Sequence, residues 1–269
     1  DMLALELHLY ANEVEELSDQ STKEAKMETQ LAELQERWAV VEFFLDEYQD
    51  TGVFMVKIKD DDNEVLENDQ LTIQGMMGSR YLSTFEESVL GWQKSLANIA
   101  DSMVVLNDVQ RTWSYLEPLF MKSEEVKKEL PEDAKRFARV DVDVKQILKV
   151  AAEDKFCKIA LNKEGLYDEL ERLQSELERC KKALNDFLDA KRRIFARFYF
   201  MSESDLLDIL SNGNNPRRII HHCEKVFLAT KVVTFGDDPD GGARPQCLNW
   251  ITSNGIEEVD FEVPFVLKD

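Results

Sequence analysis

The strongest constraint in this sequence is a stripe of apolar residues past its midpoint. Between Glu164 and Lys191, the residues Leu166, Leu170, Leu173, Leu177, Cys180, Leu184 and Phe187 follow one another at alternating spacings of four and three. That alternation places them on one side of a helix for close to four heptads, with charged residues filling the other faces. A stripe of this kind has to be covered. It predicts a long helix packed antiparallel inside its own bundle, because the seam is short for a free-standing coiled coil; the alternative is a dimerising coiled coil. The helix ends on Lys191, Arg192 and Arg193, cations placed at the negative end of the helix dipole.

The periodicity changes directly afterwards. Phe195, Ala196, Arg197, Phe198, Tyr199 and Phe200 form a segment too dense in rings for an exposed loop and too short for a helix, which predicts a buried, extended strand. Ser202 followed by Asp205 resembles a capping box, and Leu206, Leu207 and Leu210 continue at helical spacing. The cluster Asn212, Gly213, Asn214, Asn215, Pro216 ends that helix, because it supplies left-handed conformations and then forbids continuation.

Elsewhere the chain alternates between helical and short extended patterns. A helical pattern runs from Leu3 to about Gln49, on Leu31, Leu34, Trp38, Val41, Leu45 and Tyr48. Thr51 and Gly52 break it. Val53 to Ile58 then predict a short strand that ends in the acidic turn Asp60, Asp61, Asp62, Asn63. Helical character returns near Glu64 and lasts to Gly78. Two one-sided helices follow, one with Phe85, Val89, Trp92 and Leu96 and one with Val105, Val109, Trp113 and Leu116. Beyond Pro216, a helix is expected from His221 to Thr230 and a strand over Val232 to Phe235. After the turn-rich loop from Gly236 to Gln246, the alternating runs Cys247 to Thr252 and Glu257 to Phe265 predict a hairpin about Asn254-Gly255.

With 269 residues, of which 43% are hydrophobic, there is material for one large or two modest cores, and only 6 prolines interrupt it. A formal charge of -21 works against contact with nucleic acid, an anionic membrane or any other acidic polymer. The cysteines Cys157, Cys180, Cys223 and Cys247 are widely spaced and read as reduced, mostly buried intracellular thiols. There is no uninterrupted apolar window of about 18 residues and no signal-peptide pattern at the start. Both ends read as cut from a longer chain.

Several separated motifs, in order, resemble the linker region of dynein heavy chains. They begin with Ser79 and Arg80 ahead of a helix bearing Trp92, followed by Val109, Gln110, Arg111, Trp113, Tyr115, Leu116 and Glu117. Leu130 and Pro131 open the next helix, which carries Phe137 and Asp141. Arg197, Phe198, Tyr199, Phe200, Ser202, Leu206, Leu207 and Leu210 complete the pattern. The family commonly has a proline where this chain has Ala196, and Ile256 intrudes before Glu257 in the final turn. The resemblance spans the chain from about Arg37 onward, and its helix after the aromatic segment is closer to axonemal than to cytoplasmic members.

It implies a mainly α fold, an elongated stack of helical bundles with small β-hairpin elements. The expected division is a helical subregion over 1–120 with a β element near 53–58, a second over 121–235 with the heptad helix 164–191 and an aromatic strand at 195–200, and a loop and hairpin over 236–269. It also implies a mechanical lever that passes the nucleotide-driven movement of an AAA+ ring to the tail. The implied partners are the ring of the same heavy chain, the tail and other dynein subunits, in the axoneme or, alternatively, the cytoplasm. ATP and Mg would belong to the ring. No direct contact with the microtubule is expected of an acidic segment. The alternative is a helical adaptor that binds a partner through the heptad helix.

Candidate chemistry is sparse. No Walker A sequence occurs, so ATP binding by that route is not expected here. His221, His222 and Cys223 invite a zinc reading, but neighbours on a helix point about 100 degrees apart and no further ligand stands at motif spacing, so a structural cluster is expected. Asp60 to Asp62, and Asp237, Asp238, Asp240 with Gly241, read as solvated turns. Trp38, Trp92, Trp113 and Trp250 read as core, and the chain carries no expected catalytic, cofactor or metal residue.

Overall fold

The computed structural model describes residues 10–49, 51–212, 215–236, 246–252 and 257–266. Among them the architecture is mainly α with two small antiparallel sheets. The chain divides into two compact units, one of residues 1–113 and 140–176, the other of residues 114–139 and 177–269.

In the first unit, α1 (Ala11–Trp38) buries Met27, Leu34 and Trp38. It stops at Trp38, eleven residues short of the expected Gln49. The three-four spacing continues through Val41, Leu45 and Tyr48, but the intervening Val40, Phe43 and Phe44 favour extended backbone. The chain accordingly pairs instead of coiling: Phe43 N–H donates to Lys155 O at 2.9 Å and Cys157 N–H to Val41 O at 3.0 Å. Strand β1 (Phe44–Glu47) then pairs with β2 (Phe54–Lys57), with Leu45 opposite Val56. Gly52 closes the turn at φ +72°, in the left-handed region that suits glycine.

Helix α2 (Asp60–Met77) starts four residues before the expected Glu64. The triple aspartate is its first turn, not a preceding loop, because acidic side chains stabilise the positive end of a helix. A single helix, α3 (Glu86–Lys122), replaces the two expected ones. Nothing between Leu96 and Val105 breaks it, and Leu96, Ile99, Met103 and Leu106 keep its buried face continuous. Pro118 removes one intrahelical hydrogen bond near the end, where buried Leu116 and Phe120 hold the turn in place. The unit is completed by part of α5 (Pro131–Asp154), by α6 (Cys157–Leu161) and by the first part of α7 (Leu166–Ile194).

The heptad helix is thus present as α7. Leu170, Leu173, Leu177, Cys180 and Leu184 are at most 1% exposed, so the seam is already covered within the chain. At its end the fully buried residue is Leu188, while Phe187 is only half-buried. A straight helix of 3.6 residues per turn drifts about 20 degrees per heptad, which carries the stripe from one position to the next.

In the second unit, α4 (Glu124–Glu129) is capped by Ser123, and α8 (Glu203–Ser211) buries Leu206 and Leu207. The expected buried strand at 195–200 is absent. Ala196–Phe200 is a short 3-10 helix with no buried residue, and Phe200 is 74% exposed. With none of the described strands paired to it, the backbone bonds locally: Phe198 N–H donates to Phe195 O at 2.9 Å and Met201 N–H to Phe198 O at 3.2 Å. The expected helix from His221 to Thr230 is instead α9 (Pro216–Ile219), a 3-10 turn at Ile220–His222 and α10 (Cys223–Val226). The last strands, β3 (Thr230–Gly236), β4 (Gln246–Thr252) and β5 (Glu258–Val266), form an antiparallel sheet in that order. The hairpin of β4 and β5 stands as the alternation predicts. Its turn at Ser253 to Ile256, the loop from Asp237 to Pro245 with its acidic cluster, and Gly213 and Asn214 lie outside the described residues, as does the side chain of Trp250.

Candidate functional site

The residues marked by sequence fall into separate clusters. In the first unit, Gln110 and Trp113 project from neighbouring turns of α3 and tie it to other elements by buried polar contacts. The Gln110 side chain accepts from Val56 N–H at 2.8 Å and donates to Val56 O at 3.0 Å. A carboxamide carries the same donor and acceptor as a peptide group, so Gln110 satisfies the free edge of β2 as a further strand would. Gln110 and Val56 are both buried.

Trp113, with no exposed surface, donates its indole Nε1–H to Asp141 Oδ1 on α5 at 2.9 Å. Asp141 is 4% exposed, and its second oxygen accepts from Lys145 Nζ at 2.8 Å. Lys145 also lies 5.8 Å from the centre of the Trp113 ring, and the Tyr48 ring approaches it at 4.9 Å. A charge-assisted bond to a buried donor, with the second carboxylate oxygen also bonded, makes a stiff joint. Trp92 is buried with Lys158 Nζ 3.8 Å above its ring, and burial lowers the affinity of that ammonium for its proton.

A second tie of the same kind was not marked by sequence. Trp38 at the end of α1 donates Nε1–H to Asp69 Oδ2 on α2 at 2.8 Å, and Arg37 pairs with the other oxygen. Asp69 is 4% exposed. The available signal was Trp38 itself, since a buried indole N–H requires an acceptor, but α2 offers several acidic residues and only packing selects one.

In the second unit, Leu116 and Phe137 are fully buried, and Phe120 stacks on Phe137 with ring centroids 5.1 Å apart. Tyr115 hydrogen-bonds to Glu203 in the first turn of α8. Burial first, and then this contact, push the Tyr115 phenol well above its usual range. Ser202 caps α8 as expected, accepting from Asp205 N–H at 3.2 Å and donating to the Asp205 carboxylate at 2.7 Å. Leu206 and Leu207 are buried and Leu210 half-buried. Arg197 donates to Val226 O at 3.1 Å and lies over the Phe227 ring at 4.9 Å. Phe198 meets Phe195 edge-on at 4.9 Å, whereas Tyr199 points outward and is 58% exposed. Phe195, Phe198, Ile209, Phe227 and Phe235 line an apolar cavity of about 350 Å³.

The histidines do not diverge as neighbours on an α-helix would. They lie in the 3-10 turn, with ring centroids 3.8 Å apart, and His222 Nε2 is 2.8 Å from Asp208 Oδ2 on α8. Cys223 is half-buried, and Cys157, Cys180 and Cys247 are buried, none of the four in a disulfide.

In the first unit, the Gln110 and Trp113 clusters join helix to strand and helix to helix through buried polar contacts. The family model described as dynein heavy chain, N-terminal region 2, covers residues 1–268. The chain belongs to the dynein heavy chains. It is 48% identical over 262 residues to the dynein alpha chain of the flagellar outer arm of Chlamydomonas reinhardtii, a match covering 97% of this chain and 6% of that one. It is 41% identical over 263 residues to dynein axonemal heavy chain 9 of Homo sapiens, covering 98% and 6%. It is 39% identical over 262 residues to the ciliary dynein beta chain of Tripneustes gratilla, covering 97% and 6%. The described dynein region therefore spans about 6% of the length of these curated relatives. Among the described residues, no helix is long and apolar enough to cross a membrane.

Proposed function

We propose that this region is part of the linker of an axonemal dynein heavy chain, a lever that passes the ATP-driven change of the AAA+ ring to the tail during movement along microtubules. The observation that carries this reading is the set of buried polar ties on long helices, Gln110 to Val56 and Trp113 to Asp141. A lever has to resist bending, and buried hydrogen-bonded joints between helices stiffen a bundle at positions where apolar packing alone permits sliding. The family membership and the flagellar, ciliary and axonemal relatives support the placing in a motor of the axoneme.

On this reading the region performs no catalysis, and ATP with Mg is held in the ring. Its partners are the ring of the same heavy chain, the tail and the other dynein subunits. The charge of -21 supports a segment that keeps away from the acidic microtubule surface, from nucleic acid and from anionic membranes. The test is Asp141→Ala in a complete axonemal heavy chain, with ATP turnover and microtubule gliding measured together. A softened lever keeps its ATP turnover and glides more slowly per ATP consumed; unchanged gliding per ATP overturns the reading.

A further inference from the structure

We propose that Asp208, His221 and His222 form a binding site for a divalent transition metal ion of the zinc class. Asp208 stands on α8, and the histidines stand on the 3-10 turn that follows α9. One ligand atom from each comes within 4.8 Å of the other two. Asp208 Oδ2 lies 2.8 Å from His222 Nε2 and 3.8 Å from His221 Nε2. Ligand atoms on a tetrahedral zinc ion with bonds of about 2.0 Å stand roughly 3.3 Å apart, between these two distances.

The hydrogen bonds fix which nitrogens are free. His221 Nδ1 is 2.7 Å from Arg218 O, and only a protonated nitrogen can bond to a carbonyl. The lone pair of His221 is therefore on Nε2, facing a carboxylate oxygen that also only accepts. A cation placed between these two acceptors would bond to both.

His222 supplies an independent observation. The residue is 4% exposed, and its Nδ1 is buried without a hydrogen-bond partner, 3.5 Å from Asp205 Oδ1. Asp205 Oδ2 is taken by Lys225 at 2.6 Å, so Oδ1 is the oxygen turned to the ring. With a metal ion on Nε2, the ring proton moves to Nδ1 and gains Asp205 as acceptor, the carboxylate partner that usually orients a metal-bound histidine. The orphaned nitrogen is then satisfied. Two imidazoles and a carboxylate suit Zn²⁺, and also Co²⁺, Ni²⁺ or Cu²⁺. His221 is on the surface, which leaves a coordination position open to water. Bound metal would pin the turn of His221 and His222 to α8.

The test is calorimetric titration of this chain with ZnCl2 at neutral pH, accompanied by thermal melts. One ion bound per chain is expected, with a rise in Tm that a chelator reverses. His221→Ala, at an exposed position, keeps the wild-type circular dichroism and weakens binding at least fivefold, and Asp205→Asn weakens it by about tenfold through the orientation of His222. Absence of saturable binding to the wild-type chain overturns the proposal. So does binding that His221→Ala reduces by less than fivefold, since the ion is then held elsewhere.

Discussion

The indole of Trp113 and the carboxylate of Asp141 meet at 2.9 Å inside the first unit, with Lys145 on the carboxylate's other oxygen. Removing the acid leaves a buried donor with no partner, which costs more than the bond itself contributes. Asp141→Ala is expected to destabilise the chain by about 1–3 kcal/mol in urea denaturation. Trp113→Ala, which also empties a large volume, is expected to cost about 3–5 kcal/mol. A double-mutant cycle pairing Asp141→Ala with Trp113→Phe should return a coupling of roughly 0.5–3 kcal/mol, and additive effects would contradict the joint.

Gln110 treats Val56 as a neighbouring strand would, and this dictates what its substitution does. Gln110→Ala leaves the backbone N–H and C=O of buried Val56 unsatisfied, a loss of about 1–3 kcal/mol for each group that water fails to reach. The damage is local, because β2 keeps its pairing with β1 on the other edge. Hydrogen exchange should show faster exchange at Val56 with little change along α7. Uniform loss of protection over the chain would mean that Gln110 supports the whole fold and not the hairpin.

Tyr115 predicts an alkaline limit. Its phenol is raised above the ordinary value of 10.0, first by burial and then by Glu203, so the folded state favours the protonated ring. For a group raised in the folded state, the stabilisation is complete below the unfolded value and is lost as pH rises through the folded one. Ultraviolet titration should lose a late-ionising tyrosine in Tyr115→Phe, and stability should fall more steeply above about pH 10 in the wild type than in that variant. Identical alkaline limbs in the two proteins would contradict this.

The aromatic segment and the helix behind it should respond oppositely to truncation. Phe200, 74% exposed, has little to lose, and Phe200→Ala is expected within about 0.5 kcal/mol of wild type. Leu206, fully buried, should cost about 2–5 kcal/mol as alanine. Urea midpoints decide. A large loss at Phe200 would restore the buried strand that its ring-rich sequence suggests.

That contrast also marks what the sequence makes legible. Periodicity is a property of one element, so the stripe on α7, the cap at Ser202 and the alternation of β4 and β5 could be read directly. The segment from Phe195 to Phe200 could not, because strand formation depends on a neighbouring strand, and none of the described strands pairs with it. The end of α1 was hidden for the related reason that Val41, Leu45 and Tyr48 keep helical spacing while the backbone of Val41 and Phe43 pairs with Cys157 and Lys155. Family motifs pointed to Gln110, Trp113 and Asp141 as marked positions. Asp69 and Asp208 carried no such mark, since their partners are distant in sequence and only packing brings them together.

The seam of α7 gives the last prediction. Leu173 and Leu177 have 0% and 1% of their surface exposed, so the chain itself has covered the stripe that a dimer would need. Leu173→Glu with Leu177→Glu places two unpaired carboxylates in an apolar interior, where each must be neutralised or drive the structure open. The double variant is expected to lose its cooperative thermal transition, measured by circular dichroism at concentrations where light scattering finds the wild-type chain monomeric. An adaptor that associates through the same helix would behave differently: its wild type would show a concentration-dependent dimer, and the double variant would remain a folded monomer. Loss of folding in the double variant of a wild-type monomer therefore separates a seam that holds one chain together from a seam offered to a second.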